Sequence, residues 1–267
     1  MKMDNKPLIS IITVAYNADP FIEKTIQSVL SQTYSPIEYI IIDGGSTDNT
    51  VNIIKGYSNR IAYWCSEKDN GISDAFNKGL SKATGEIIGI INADDWYEKD
   101  AVEKVVAKIK DADVVYSDMQ LWKNDEKDFV MKGDHQFLTK EMTVSHPSVF
   151  IRKECYTQFG LFDTQYELAM DYDLMLRLKI NDRRFLYIPE TLANMRWAGL
   201  SDKKWLTGCK ETLMIKNKYI PRKKINHLLY FCKHVLAIAI SKTLRKTKTD
   251  FLIKPYRSRF AKVKKIY

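Results

Sequence analysis

Blocks of apolar residues alternate with amphipathic segments along the first half of the chain. Five apolar blocks have the length of strands, and they cover residues 8–15, 37–43, 61–65, 85–91 and 113–117. Between them, apolar residues recur every three or four positions and predict helices over residues 19–32, around residues 51–54, and over residues 73–82 and 98–109. This strict alternation predicts right-handed βαβ units and an α/β fold with a mostly parallel sheet.

The second half of the chain has a less regular pattern. Residues 119–140 contain scattered apolar positions, among them Trp122 and Phe129, which indicate short strands or a hairpin. Further segments predict a strand at 148–151, helices at 153–159, 171–180 and 200–219, and two short strands around Pro189 within residues 185–197. Pro221 ends the last helix, because proline cannot continue the helical hydrogen-bond pattern.

Polar residues follow three of the predicted strands directly. Tyr16 and Asn17 come after the first strand, Asp43 ends the second, and residues 92–95 follow the fourth. Ligands of open α/β sheets bind outside the carboxyl ends of the strands. The pattern therefore predicts a binding site at this end of the sheet.

The cluster at residues 92–95 has the composition of a metal site. Neighbouring carboxylates repel each other unless a cation or solvent compensates them, and hard oxygen ligands favour Mg²⁺ or Mn²⁺. The alternative is a plain strand end, in which Asp95 caps the next helix.

Four other polar segments have both a functional and a structural interpretation. Residues 67–79 can receive phosphate or ribose groups at a helix start, or form a solvated loop in which Ser73 is a helix cap. The Asp171 and Asp173 carboxylates are favoured in a first helical turn by the helix dipole alone. His146, next to a proline, is typical of a turn, and Arg196 can simply pair with an acid.

The charge of the chain is concentrated at its end. The net charge is +9, but residues 221–267 hold 14 basic residues and one acid and carry +13, whereas residues 1–220 carry −4. Apolar residues of this tail share one helical face, and they predict a basic amphipathic helix. Such a tail suits an anionic membrane surface, or packing on the body or in a dimer. Its aromatic residues lie in helical phase with aliphatic ones, which argues against nucleic-acid binding.

No segment of the sequence has the pattern of a targeting peptide or a membrane span. We therefore expect a cytoplasmic protein that lies on the inner face of the cell membrane, if it contacts the membrane at all.

Taken together, the motifs resemble those of the family 2 glycosyltransferases, and the resemblance covers about the first two hundred residues. The blocks that carry it are residues 9–17, 28–32, 42–48, 67–79 and 92–95, His146-Pro147-Ser148, Asp171-Tyr172-Asp173 with Arg177, and Arg196 with Gly199 and Ser201. The family has the glycosyltransferase A-type fold, a mostly parallel Rossmann-like sheet flanked by helices. Here it would form a catalytic domain over residues 1–220, followed by a C-terminal basic helical appendage over 221–267.

The resemblance implies a role for each matching residue. The nucleotide-binding part would be about residues 1–118. The base and ribose would contact Thr13, Ala15, Tyr16, Asn17 and Asp43, and the diphosphate and sugar would contact Asp69, Asp74 and Asn77. Asn92 and Ala93 would contact the donor beside the metal. Asp94 would bind the metal directly, with Asp95 beside it, and Asp171 would be the catalytic base. Acceptor or diphosphate contacts, mostly from about residues 119–220, would be His146, Arg177, Arg196 and Trp197.

Two positions depart from the family pattern. Asn92 stands where the metal motif usually begins with Asp, which puts the affinity and choice of metal in doubt. Met170 precedes Asp171 where the family often has Glu, so the neighbour of the base is changed while its carboxylate is retained.

The function that the resemblance implies is inverting transfer of a hexose or N-acetylhexosamine from a nucleoside-diphosphate sugar, with UDP favoured. The acceptor would be a sugar linked to undecaprenyl diphosphate, in O-antigen (lipopolysaccharide) or capsule synthesis. A nucleotide-sugar-binding protein without catalysis is the alternative, but it would be expected to lack Asp94 or Asp171. A nucleotidyltransferase would more naturally have a glycine-rich basic loop after the first strand, and residues 16–19 do not form one.

Overall fold

The computed structural model describes residues 6–197, 204–246 and 265–266. The strands are β1 Ile9–Ala15, β2 Ile37–Asp43, β3 Tyr63–Ser66, β4 Ile87–Asn92, β5 Trp96–Tyr97, β6 Val114–Lys123, β7 Glu126–Met131, β8 Val149–Arg152, β9 Phe185–Arg196 and β10 Lys265–Ile266. The α-helices are α1 Ile22–Leu30, α2 Thr50–Gly56, α3 Ile72–Lys82, α4 Ala101–Ile109, α5 Lys153–Phe159, α6 Met170–Ile180, α7 Trp205–Tyr219 and α8 Lys224–Lys246.

The strands form one mixed sheet in the order β10-β7-β6-β8-β4-β1-β2-β3, and β9 pairs with both β6 and β5. Strands β4, β1, β2 and β3 are mutually parallel, as the alternating pattern predicted. Strand β8 is antiparallel to β4 and β6, whereas β6 and β9 form a long parallel ladder. The α/β fold is therefore confirmed, and every antiparallel pair among the described strands includes a strand from β5 onward.

Each face of the sheet carries its own hydrophobic core. Ile9 and Ile11 of β1 pack with residues of α1 and α4 on one face. Ile12 and Val14 point to the other face, where they join residues of α3, α5 and α6. Because successive strand residues alternate between faces, an apolar strand such as β1 fills both cores at once.

Of the two irregular regions, one forms a hairpin, which was among the predicted forms, and the other differs from the prediction. The apolar positions of residues 119–140 belong to a hairpin of β6 and β7, and Asn124 and Asp125 take positive φ values of 51° and 63° at its turn. The two short strands predicted around Pro189 form the single strand β9. Its register against β6 jumps between Ile188 and Thr191, so Pro189 falls in an irregularity where no ladder donor is needed.

Several predicted helix starts were wrong in detail, and the helices predicted from residues 19 and 98 begin at Ile22 and Ala101. Ser73 does not cap α3, since the N-cap position is Gly71 and the Ser73 hydroxyl donates to the Tyr166 carbonyl (3.2 Å). The helix predicted from residue 200 begins at Trp205. Gly199 and Ser201 of the family motif lie outside the described residues.

The basic tail is helical over Lys224–Lys246, as predicted. Helix α8 packs on α7 and leaves Ile225, Leu229 and Leu236 exposed. Lys265–Ile266 forms a short strand on β7, so the tail is not helical throughout, and the predicted apolar positions between residues 251 and 260 lie outside the described residues. Of the helices that the structure describes, none combines the length and hydrophobicity needed to span a bilayer.

Candidate active site

The carboxyl ends of β1, β2 and β4 meet at one edge of the sheet, which we call the strand-end edge. The Gly44 amide donates to the Ala15 carbonyl (2.8 Å), and the Ala93 amide donates to the Val14 carbonyl (3.1 Å). These bonds bind the segments after β2 and β4 to the end of β1. The predicted convergence of the first three polar clusters is therefore observed.

The Asp43 carboxylate is fully buried beneath the turn that follows β2. It accepts hydrogen bonds from the Gly45 and Ser46 amides (3.1 and 2.9 Å) and from the hydroxyls of Ser46 and Ser66 (2.5 and 2.6 Å). These bonds occupy the carboxylate inside the protein. Asp43 therefore shapes the turn at the strand-end edge.

The residues around the end of β1 differ in accessibility. Thr13 is buried and its hydroxyl bonds the Tyr39 hydroxyl (3.0 Å), so it lies beneath the edge. Asn17 takes a positive φ of 48°, and its Oδ1 accepts from the Thr47 amide (2.9 Å). Tyr16 is 65 % exposed. Its open ring is the group here that is free to stack on a flat ligand such as a nucleobase.

Asp69 is fixed directly beside the turn after β2. Its Oδ1 accepts from the Gly71 amide (3.0 Å), and a Cβ atom built on Gly44 would lie 2.4 Å from its Oδ2. This close approach explains why glycine is needed at residue 44. Asp74 accepts from the Asn70 amide (3.0 Å) and pairs with Lys78 (3.5 Å), so both predicted carboxylates brace the loop that enters α3.

The Asn77 side chain bonds the backbone of Phe162. Its side-chain amide donates to the Phe162 carbonyl (2.9 Å) and accepts from the Phe162 amide (3.0 Å). Together with the bond from Ser73 to Tyr166, this pair ties residues 162–166 to α3. Asn77 therefore helps to position the segment that leads into α6.

The oxygen atoms of residues 92–95 have three different environments. Asn92 Oδ1 is buried and has no hydrogen-bond partner among the described residues. Asp94 is partly exposed, and burial of its carboxyl raises its pKa, opposed by the nearby Arg196 charge. Asp95 is buried, with its carboxylate on the Arg196 amide (3.2 Å), and burial and the Asp94 charge raise its pKa well above the usual value.

These environments decide which groups suit a divalent ion. Across residues 6–197, 204–246 and 265–266, no three His, Cys, Asp or Glu side chains are grouped to hold a metal. Asp94 and the unpartnered Oδ1 of Asn92 are nevertheless hard oxygen donors of the kind that Mg²⁺ and Mn²⁺ bind together with substrate phosphates and water. The residues present therefore fit a divalent ion, whereas the Asp95 carboxylate is already engaged by the protein.

Thr25, which the sequence analysis did not single out, supports this motif from α1. Its hydroxyl lies 2.9 Å from the Ala93 carbonyl and 2.6 Å from the Asp95 carbonyl, and its side chain is buried. The signal in the sequence is a lone hydroxyl on the apolar face formed by Ile22, Ile26 and Val29.

Arg196 lies beside residues 92–95. Its amide binds Asp95, and its guanidinium stacks over the Phe21 ring (4.5 Å to the centroid) and pairs with Asp125. The Trp197 amide donates to the Trp122 carbonyl (2.7 Å), which extends the pairing of β9 with β6. A fixed positive charge therefore stands next to the carboxylates at the end of β4.

Asp171 is in the first turn of α6 and is partly exposed. Its Oδ1 accepts from the Tyr172 amide (2.7 Å). Desolvation of its carboxyl, with a smaller contribution from the Glu211 charge, raises its pKa to about 6. A carboxyl group with this pKa is ionised at neutral pH and is a stronger base than an ordinary aspartate.

The structure gives Arg177 and His146 internal partners. Arg177 donates to the carbonyls of Phe159, Gly160 and Leu161 and pairs with the buried Asp173. These groups line a cavity of about 370 Å³ whose lining does not include Asp171. His146 packs against the rings of Phe76 and Phe162, and burial lowers its pKa to about 4, so it is neutral at physiological pH.

Comparison with known proteins places this geometry in a family. The sequence model described as Glycosyl transferase family 2 matches residues 10–174. Among curated relatives, chondroitin synthase of Pasteurella multocida is 31 % identical over 237 residues, which cover 84 % of this chain and 24 % of that protein.

Two solved structures have the same fold. Staphylococcus aureus TarS in complex with UDP-GlcNAc superposes with a TM-score of 0.63 at 17 % identity, over 85 % of this chain and 71 % of that one. A mannosyltransferase from Pyrobaculum calidifontis, in complex with GDP-Man and Mn²⁺, superposes with a TM-score of 0.65 at 18 % identity, over 96 % and 83 %. The expected glycosyltransferase A-type fold is confirmed.

Proposed function

Since the chain belongs to glycosyl transferase family 2, we propose that it transfers a hexose or N-acetylhexosamine from a nucleoside-diphosphate sugar to an acceptor sugar hydroxyl, with inversion. The observation that carries this proposal is the setting of Asp171. Its partly exposed carboxyl has a raised pKa. Asp171 lies in the first turn of a helix whose preceding loop is tied to α3 by the Ser73 and Asn77 side chains.

UDP is the donor nucleotide that we propose. TarS, which shares the fold, has been solved with UDP-GlcNAc, whereas the mannosyltransferase was solved with GDP-Man. The exposed Tyr16 ring offers a stacking surface for the base, above the turn held by Asp43. The N-terminus of α3 provides backbone amides for phosphate oxygens.

Asn92 and Asp94 are the residues that would hold a divalent ion, Mn²⁺ or Mg²⁺. When bound, such an ion offsets the negative charge that grows on the departing nucleoside diphosphate. Arg196 adds a fixed positive charge next to the same motif, since it stacks on Phe21 while its backbone binds Asp95. Asp95 and Thr25 keep the motif in place.

Asp171 is the general base of the proposed reaction. Its carboxylate accepts the proton of the acceptor hydroxyl as that oxygen bonds to the anomeric carbon. On the opposite side of this carbon the bond to the diphosphate oxygen breaks, and the electron pair leaves with the nucleotide. A positioned base of this kind contributes about 10²- to 10⁴-fold to the rate.

The turnover rate should fall in acid as Asp171 becomes protonated. With a pKa of about 6, we expect kcat to be level above that pH and to fall about tenfold per pH unit below it. Initial rates at saturating donor and acceptor, with folding followed by circular dichroism at each pH, measure this. A kcat that stays level down to about pH 4.5 would contradict the assignment of Asp171.

A donor screen tests the proposed reaction most simply. The full chain is incubated with UDP- and GDP-sugars, with Mn²⁺ or Mg²⁺ and a panel of acceptor sugars, and released nucleoside diphosphate is measured. Release that depends on an acceptor is expected for one donor. Tight binding of a nucleotide sugar without any release, across the acceptor panel, would favour the non-catalytic binding protein.

We further propose that the acceptor belongs to a surface polysaccharide, such as O-antigen or capsule, built on undecaprenyl diphosphate. The similarity to chondroitin synthase supports a polysaccharide product. In this proposal about residues 1–118 bind the donor and about residues 119–220 bind the acceptor. The residues after 220 form an accessory segment.

Helix α8 supports a peripheral association with the inner face of the cell membrane. His227 and Tyr230 are on the side turned toward α7, whereas Ile225, Leu229 and Leu236 form an exposed apolar stripe on the other side. Basic residues flank the stripe and continue through residues 247–267. Each basic residue near an anionic surface contributes about 1 kcal/mol, and the buried stripe adds to this.

Liposome flotation measures this association. We expect the wild-type protein to float with vesicles that contain phosphatidylglycerol and not with vesicles of pure phosphatidylcholine. The double variant Leu229→Ser with Leu236→Ser should float severalfold less. Leu161→Ser, at another exposed leucine, is the matched control and should float like the wild type. If the wild type is instead a dimer that never floats and the double variant is a monomer, the stripe is a dimer interface.

A further inference from the structure

Helix α7 brings one buried carboxylate to the start of α6. Glu211 is 8 % exposed, and it is the single acidic residue among residues 204–220. Its two oxygens accept hydrogen bonds from three consecutive backbone amides, those of Glu167, Leu168 and Ala169 (2.9, 2.9 and 2.8 Å).

Of these amides, that of Ala169 belongs to the N-cap of α6, and those of Glu167 and Leu168 belong to the loop before it. The first amides of a helix lack partners within the helix, and Ala169, at the N-cap of α6, has no side-chain acceptor. A carboxylate at this end is also favoured by the helix dipole. Glu211 therefore caps α6 from another helix, over 40 residues away in sequence.

The capped segment joins two parts of the proposed active site. On one side, the Tyr166 carbonyl accepts from Ser73 at the start of α3. On the other, Asp171 follows Ala169 by two residues. Hydrogen bonds to charged groups are stronger than neutral ones, so three of them on one carboxylate fix this segment firmly.

We propose that Glu211 is a positioning residue that holds Asp171 at the distance and angle needed to accept the acceptor proton. This inference rests on the proposed function. It also gives the C-terminal helices a role in the reaction, because α7 carries Glu211 and α8 packs against α7.

The charges around the first turn of α6 make this role measurable. Glu211 faces it from α7, Glu167 precedes it and pairs with Lys204, and Asp173 lies on the far side with Arg177. Of these groups, Glu211 contributes to the raised pKa of Asp171. Removing its charge should therefore lower the pKa of the base as well as loosen its position.

Glu211→Gln tests the proposal in the full-length protein. We expect kcat to fall between about tenfold and a hundredfold with little change in the donor KM, because a misplaced group costs the chemical step more than binding. The acid limb of the kcat profile should also move to lower pH, a shift that a purely structural defect would not produce. Glu167→Gln removes a nearby charge that is exposed and paired with Lys204, and it should behave like the wild type.

Glu211→Asp separates position from charge and covers the case in which the Gln variant does not fold. It keeps the charge on a shorter side chain, so we expect a lower kcat with the acid limb unmoved. A folded Glu211→Gln or Glu211→Asp protein with the wild-type kcat and acid limb would overturn the proposal. If Asp171→Asn also retained full activity, the proposed function itself would have failed.

Discussion

Asp171→Asn should lower kcat by about 10²- to 10⁴-fold while the protein stays folded and still binds its donor. The amide has the size of the carboxyl group but cannot accept a proton. The Oδ1 bond to the Tyr172 amide can be kept by the amide oxygen. The loss should therefore appear in kcat, with the donor affinity, measured by calorimetry, close to that of the wild type.

The same variant should be more stable than the wild type at neutral pH. The native pKa of Asp171 is about 6 and the usual value is 3.8, so between these values the native state binds more protons than the unfolded state. Wild-type stability therefore falls as the pH rises through this interval, by on the order of 1–3 kcal/mol in total. Asn removes this cost, and the gain should vanish below about pH 4.

Denaturant unfolding at several pH values, together with kinetics, checks both expectations. Asp182→Asn is the matched control, because Asp182 is exposed just beyond the other end of α6 and has a positive φ of 56° that Asn tolerates. It should leave both rate and stability unchanged. An Asp171→Asn protein with normal turnover would remove the assigned base.

Asp94→Ala should lower kcat/KM by about 10²- to 10³-fold, the second large effect. The change removes the carboxylate that would hold the divalent ion and leaves the unpartnered Oδ1 of Asn92 to bind it alone. Because Asp95 is buried on the Arg196 amide, it is not placed to substitute. Higher Mn²⁺ concentrations should restore part of the activity.

Binding of Mn²⁺ in the presence of nucleoside diphosphate, followed by electron paramagnetic resonance, gives a readout apart from activity. The apparent affinity should weaken at least tenfold in Asp94→Ala. Asp128→Ala removes an exposed carboxylate on β7 and should bind like the wild type. Equal Mn²⁺ affinity in the Asp94 and Asp128 variants would exclude Asp94 as the ligand.

The regular half of the fold could be predicted from the sequence because its elements are locally determined. β1 is apolar at nearly every position, so it must be buried on both faces, and the polar residues after it must then lie at the sheet edge. For residues 119–140 the sequence left short strands and a hairpin as alternatives, since few apolar positions on β7 face the core. Strand β9 continues past Pro189 because its register against β6 is irregular there. At such a position the strand pairing does not require the backbone N–H that proline lacks.

The roles of single polar side chains were harder to predict. Asn77 and Arg177 match the family motif, but both bind backbone carbonyls that lie far away in sequence. Glu211 was missed for the same reason, because its three partners come from a loop more than 40 residues earlier. The sequence shows which polar side chains need hydrogen-bond partners when they are buried. The tertiary structure determines which groups those partners are.

The central claim is tested most directly by a crystal structure of the Asp171→Asn variant. The crystals would contain Mn²⁺, the nucleoside-diphosphate sugar and an acceptor analogue. We expect an anomalous manganese signal at Asp94 and the nucleobase of the donor near Tyr16. The acceptor hydroxyl should lie within hydrogen-bonding distance of residue 171. Manganese and nucleotide bound away from the strand-end edge, or residue 171 turned away from the sugar, would contradict it.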